Sequence, residues 1–142
     1  MELALEEARL AAAAGDVPVG CVVVKDGGVV ARAHNRREEL RLATAHAEVL
    51  AVEAACNKMN SRRLCGCTVY VTLEPCPMCA GAILQACPDR LVFGAFDDET
   101  GAVRSRLELF ESFSLPSPQV RGGVLEEECA GLLREFFEGL RA

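Results

Sequence analysis

The sequence predicts an α/β fold, a three-layer α/β/α arrangement around a mixed central sheet. Three observations carry this. Short β-branched runs alternate with helical segments, so part of the sheet must be parallel. Two of the runs are joined by a tight turn, so another part must be antiparallel. Amphipathic segments at both ends of the chain supply helices for its faces.

Each element has its own signal. Residues 2–14 are rich in Ala and Leu and stop at Gly15, a residue suited to ending a helix. "VPVGCVVV" (17–24) and "VVARAH" (29–34) are strands linked by the hairpin signal "KDGG". From Ala45 to about Met59 the apolar spacing becomes helical. "CTVYVTL" (67–73) reads as a strand, "PMCAGAILQA" (77–86) as a short helix opening on proline, and "RLVFGA" (90–95) as another strand. Leu125, Cys129, Leu132, Leu133, Phe136, Phe137 and Leu140 share one face of a final helix.

Composition narrows the class. The 142 residues suit one domain spanning 1–142, and 51% hydrophobic with 25% charged residues is ordinary for a soluble globular protein. No apolar run approaches the roughly 20 residues of a membrane span. "MELALEEARL" carries acids where a secretory signal carries positive charge, so a cytoplasmic location is expected. The net charge of −6 argues against a broadly basic nucleic-acid surface.

Eight cysteines form an even set, but without an export signal and with a sizeable core, disulfides are not expected. Cys21, Cys56, Cys87 and Cys129 have apolar neighbours and read as small buried hydrophobes. Cys65 and Cys67 could pack, bind metal or oxidise.

The remaining two cysteines are different. "TAHAEVL" places His46 and Glu48 at the start of one helix, and "EPCPMC" places Cys76 and Cys79 at the start of the next, about 30 residues later. Both helices follow strands, so their N-termini should meet at the strands' carboxyl ends, where open α/β sheets collect ligands. Cys76 and Cys79 are about 60° apart around a helix and can converge on one ion. His46 and Glu48 are about 200° apart, so they share a site only if it lies end-on, beyond the helix terminus. One imidazole and two thiolates suit a zinc with a fourth position open to water, and a nearby non-ligand glutamate can shuttle a proton. The bland alternative is a buried histidine with two packing cysteines. H-x-E followed by P-C-x-x-C, each opening a helix after a strand, is specific to zinc-dependent nucleobase deaminases.

"VPVG", "HNR", "TAHAE", "TLEPCPMCAGAI", "VFGAFDDETGA" and "GVLEEECAGLLREFF" together resemble the bacterial tRNA-specific adenosine deaminases of the cytidine and deoxycytidylate deaminase superfamily. The likeness runs over almost the whole chain. It implies a cytidine-deaminase-like, five-stranded sheet, one Zn2+ per chain, a homodimer, and adenosine-to-inosine conversion in a tRNA anticodon loop. By resemblance His46, Cys76 and Cys79 hold zinc and Glu48 shuttles protons. Asn35 binds the flipped-out base, Val19 and Leu73 line the pocket, and Asp97 lies near the flanking nucleotide. Without the resemblance Asn35 is a turn residue and Asp97 an ordinary loop acid.

The departures fall on the RNA-facing parts. Phe96 and Glu99 stand where relatives often carry basic residues, and Arg104 where a glycine is usual. "SFSLPSPQVRGG" lacks the Asn-His pair, and "LREFFEGLRA" lacks a basic tail. Arg32, Arg36, Arg37 and Arg41 form a local basic patch, with Arg36 and Arg37 the expected phosphate contacts. A deaminase of a free base or nucleoside, of guanine or cytosine type, is the alternative. A non-catalytic zinc module has no use for Glu48.

Overall fold

The computed structural model describes residues 1–141. A five-stranded sheet runs in the order β2 (Gly28–His34), β1 (Gly20–Lys25), β3 (Cys67–Leu73), β4 (Arg90–Ala95), β5 (Gln119–Arg121). β1 is antiparallel to both β2 and β3, while β4 is parallel to β3 and β5 to β4. Only β1 therefore runs against the other four. The carboxyl ends of β2, β3 and β4 all open on one end of the sheet.

The β1–β2 hairpin closes at the Lys25–Gly28 pair, leaving Asp26 and Gly27 as the turn. Their φ values of 51° and 76° are both positive, as a twisted two-residue hairpin requires. Helix α1 (Glu2–Ala13) ends as the sequence predicts, with Gly15 in the left-handed region at φ 84°.

Helices cover both faces. On one side α3 (Ala47–Met59) and α4 (Pro77–Ala86) bury Ala47, Ala51, Ala55, Ala80 and Ile83 against Cys21, Val23, Val69, Val71, Leu91 and Phe93. The alternation 21/23, 69/71 and 91/93 puts one face of three neighbouring strands into this core. On the other side α1 and α5 (Glu126–Arg141) meet over Leu5, Ala95 and Cys129. Small alanines at the helix contacts let the backbones approach the sheet closely.

Five features lie outside the element-by-element reading of the sequence. A single-turn helix, α2 (Arg37–Leu40), and a 3₁₀ turn (Leu109–Glu111) carry no periodic signal. β5 has one apolar residue, Val120, and follows two prolines; it is seated by Gln119 N–H donating to the Asp89 carbonyl at 3.0 Å. Helix α3 starts after His46, two residues later than the apolar spacing suggests. Of the cysteines read as packing groups, Cys21 and Cys129 are buried, but Cys56 and Cys87 are only half-buried. Cys87 ends α4 in the left-handed conformation, where its side chain leaves the core. Cys67 is buried, with its Sγ 3.6 Å from Met59 Sδ, and Cys65 is exposed; no disulfide joins any of the eight.

Candidate active site

Both helix starts at the carboxyl end of the sheet lack the usual side-chain cap. His46 is the residue before α3 and Cys76 the residue before α4, each in an extended conformation. Helix N-termini normally recruit Ser, Thr, Asp or Asn there to accept from the first N–H groups. Here neither side chain caps its helix, so both are free to turn end-on. Asn35 takes over the capping of α3 from outside, its Oδ1 accepting the Ala47 N–H at 2.8 Å. Pro77 opens α4, where its missing N–H costs nothing.

The end-on geometry brings three donors together. His46 Nδ1 lies 3.7 Å from Cys76 Sγ and 3.4 Å from Cys79 Sγ, and donor atoms of the three residues all fall within 4.8 Å of one another. Ligands bound tetrahedrally at about 2.0–2.3 Å stand roughly 3.6 Å apart, so the spacing fits one zinc. The charge state fits too. A hydrogen bond from the Cys79 thiol, with His46 adding, holds Cys76 down to about 4. The same hydrogen bond, together with burial, pushes Cys79 up. The hydrogen bond with Cys76 raises His46. Cys76 is the sulfur held toward the thiolate, and an ion taking the place of the shared protons would meet an N/S2 set with a fourth position to spare.

Glu48 sits in the first turn of α3 and is 4% exposed. Burial, with the Cys76 charge adding, pushes its carboxyl up to about 7. Asn35 is 5% exposed and is anchored through its N–H to the Val19 carbonyl at 3.1 Å. With Oδ1 committed to Ala47, the amide turns its N–H donors away from the helix. Val19 is buried in the core beside α3, and Leu73 is half-buried at the end of β3, touching both cores.

The rim residues are engaged with one another. Arg36 Nε and Nη2 donate to the two Glu39 oxygens at 2.9 and 3.0 Å. Arg37 Nε lies 3.6 Å from Asp16 Oδ1, and Arg32 pairs with Glu6 and Glu7. Asp97 spends both carboxylate oxygens on its own loop, accepting from Glu99 N–H, Thr100 N–H and Thr100 O–H. A wide depression of about 500 Å³ bordered by Arg63, Cys65, Cys87 and Arg90 lies at the opposite end of the sheet from these donors.

One residue escaped the sequence reading. Glu74 is 2% exposed, directly between β3 and the turn carrying Cys76. Its carboxylate accepts from the N–H groups of Asp97, Val103, Arg104 and Ser105 and from the Ser105 hydroxyl. Burial raises its pKa, but the Ser105 hydroxyl and the backbone N–H groups outweigh that and hold it below the ordinary range. The available signal was a single acid closing an apolar strand two residues before a candidate metal donor.

Residues 1–95 match the model of the cytidine and deoxycytidylate deaminase zinc-binding region. The tRNA-specific adenosine deaminase of Bacillus subtilis is 47% identical over 99% of this chain and 88% of its own length. A solved structure from studies of A-to-I editing by tRNA:A34 deaminases at the wobble position is 47% identical, with a TM-score of 0.90 over 94% of this chain and 97% of that one. The guanine deaminase of Nitrosomonas europaea is 27% identical, with a TM-score of 0.82 over 95% of this chain and 81% of that one. The chain belongs to the tRNA-specific adenosine deaminases, within the zinc-binding cytidine and deoxycytidylate deaminase family.

Proposed function

We propose that this protein hydrolyses adenosine to inosine at the wobble position of a tRNA of the tRNA-Arg type. The observation that carries it is the 47% identity to a tRNA-specific adenosine deaminase over 99% of the chain, against 27% to a guanine deaminase. His46, Cys76 and Cys79 would hold the zinc, which when bound supplies Lewis-acid activation of a water nucleophile.

The chain's own residues handle the base and the proton. A base inside a duplex cannot reach the donors, so the target must flip out of a loop. Asn35 offers its free amide N–H groups to acceptors on the base. Val19 and Leu73 form apolar walls, and Asp97 shapes the loop beside the flanking nucleotide. Glu48, with a carboxyl near 7, takes a proton from the attacking water. It delivers that proton to the base nitrogen, then takes the second proton from the new C6 hydroxyl and passes it to the departing amine. Water adds at C6, the C6–N bond breaks, and ammonia leaves a carbonyl behind.

Arg36 and Arg37 are proposed phosphate contacts, and a homodimer working in the cytoplasm is the proposed form. Among the described residues no helix is long and apolar enough to cross a membrane. The test is inosine in tRNA-Arg measured against ammonia released from free guanine, cytosine and adenosine. Inosine at the wobble position without free-base turnover supports the reading; turnover of a free base alone overturns it.

A further inference from the structure

We propose that Arg104 and Arg106 form a phosphate-binding site for the RNA flanking the target base, on a loop that Glu74 holds rigid. The inference rests on the tRNA reading above and adds a site to it. The loop after β4 leaves the same end of the sheet as the helix starts carrying the metal donors. Glu74 pins both of its limbs. Oε1 accepts the Asp97 N–H at 3.1 Å, and Oε2 accepts those of Val103, Arg104 and Ser105 at 3.2, 2.7 and 2.9 Å.

Two more bonds complete the clamp. Ala102 N–H donates to the Pro75 carbonyl at 2.9 Å, and Arg106 N–H to the Gly101 carbonyl at 2.9 Å. Gly101 is required where it stands, because a Cβ there would come 2.5 Å from Glu74 Cδ. The loop is thus tied directly to residues 74 and 75, and Cys76 follows.

A buried carboxylate with five donors is costly to desolvate and holds whatever donates to it in one arrangement. What this one fixes is the backbone on either side of two exposed arginines. Among the described residues neither guanidinium has a carboxylate within ion-pair distance, whereas Arg32, Arg36 and Arg37 are all matched to acids. In a chain of net charge −6, polyanion binding needs a local cationic site rather than a global field. A backbone already fixed loses little freedom when phosphate arrives. Asp98 and Glu99 occupy the exposed tip of the same loop, so the site is directional: the arginine limb takes the RNA and the tip repels it.

The experiment measures binding of a tRNA-Arg anticodon stem-loop across a salt series, after inosine formation by the parent protein has been established. That control separates failure of the proposed function from failure of this site. Arg104→Glu/Arg106→Glu should weaken binding roughly tenfold or more. It should also flatten the salt slope by about 1.4, two single-strand phosphate contacts. Zinc content and circular dichroism should match the parent. The charge-matched pair Arg62→Glu/Arg63→Glu, at the far end of α3, should cost much less. Unchanged affinity and slope in the Arg104/Arg106 variant would overturn the proposal, as would an equal loss in the Arg62/Arg63 pair.

Discussion

Two regions share one end of the sheet and are built on opposite terms. The donor turns, residues 44–48 and 74–79, place half-buried His46 and Cys76 and buried Glu48 and Cys79 at helix starts. Backbone and capping bonds fix them, as with Asn35 Oδ1 on Ala47. The surrounding rim, residues 36–41 and 96–106, is mostly exposed, and several of its charges are matched with one another. In the proposed function, reaction chemistry depends on the first region and substrate grip on the second.

The largest way to break that contrast is to remove a metal donor. Cys79→Ser should reduce zinc from about one per chain to a small fraction by elemental analysis. It should abolish inosine formation and lower the thermal midpoint, because Cys79 is buried between two helix starts. A zinc-free yet active variant would remove the metal from the mechanism. Glu48→Gln is the next step down. It keeps shape but cannot take a proton, so turnover should fall about 10²–10⁴-fold while zinc is retained. Near-normal turnover with zinc bound would take the proton role from Glu48.

The same residue gives a pH test in protein stripped of metal. A carboxyl raised from 4.5 to about 7 on folding binds more protons folded than unfolded between those values. Its contribution to stability is full below about 4.5 and is lost as pH rises through 7. Gln does not titrate. The stability of Glu48→Gln relative to the parent should therefore climb through this window by on the order of 3 kcal/mol and then level off. Denaturant unfolding at several pH values measures it, and a difference independent of pH would contradict the burial of the charge.

Legibility followed the same division. H-x-E and P-C-x-x-C could be read because metal chemistry fixes residue type and spacing together, and their placement after strands followed from periodicity. The left-handed Asp26-Gly27 turn and Gly15 were readable because steric limits on φ restrict which residues serve there. β5 was not, since its three residues are held by Asp89 and by β4 rather than by their own pattern. Glu74 was not, because its five partners come from residues 97–105, and sequence spacing cannot show which backbone folds back onto a carboxylate. Nor could the sequence show that Arg36 and Arg37 meet Glu39 and Asp16.

Glu74 belongs to the donor turns but is bonded to the rim loop, and its loss should have an intermediate effect. Gln leaves one acceptor oxygen and turns an NH2 group toward backbone N–H groups, at a cost of about 1–3 kcal/mol for unsatisfied buried donors. Because the native carboxyl is held low, its stabilisation is present above the ordinary carboxylate pKa and lost as pH falls. The deficit of Glu74→Gln should therefore shrink in acid. Hydrogen exchange should quicken at the amides of 103–105 while those of β1 and β3 keep their rates. Uniform acceleration would mean the carboxylate supports the whole fold rather than one loop.

The smallest expected effect lies on the outer rim. Arg36 and Glu39 are both exposed, and their pairing pulls the Glu39 carboxyl down. Exposed pairs of this kind contribute little to folding, so Glu39→Gln should leave thermal unfolding unchanged within error. Binding is different. If Arg36 grips phosphate it must first leave Glu39, and the carboxylate also repels the incoming strand. Removing that competition should strengthen anticodon stem-loop binding by a few-fold at low salt, with the gain fading as screening rises. A gain in Glu39→Gln that disappears in the background of Arg36→Gln would assign it to the freed guanidinium. A gain that survives there would come from lost repulsion alone, and Arg36 would cease to be a candidate contact.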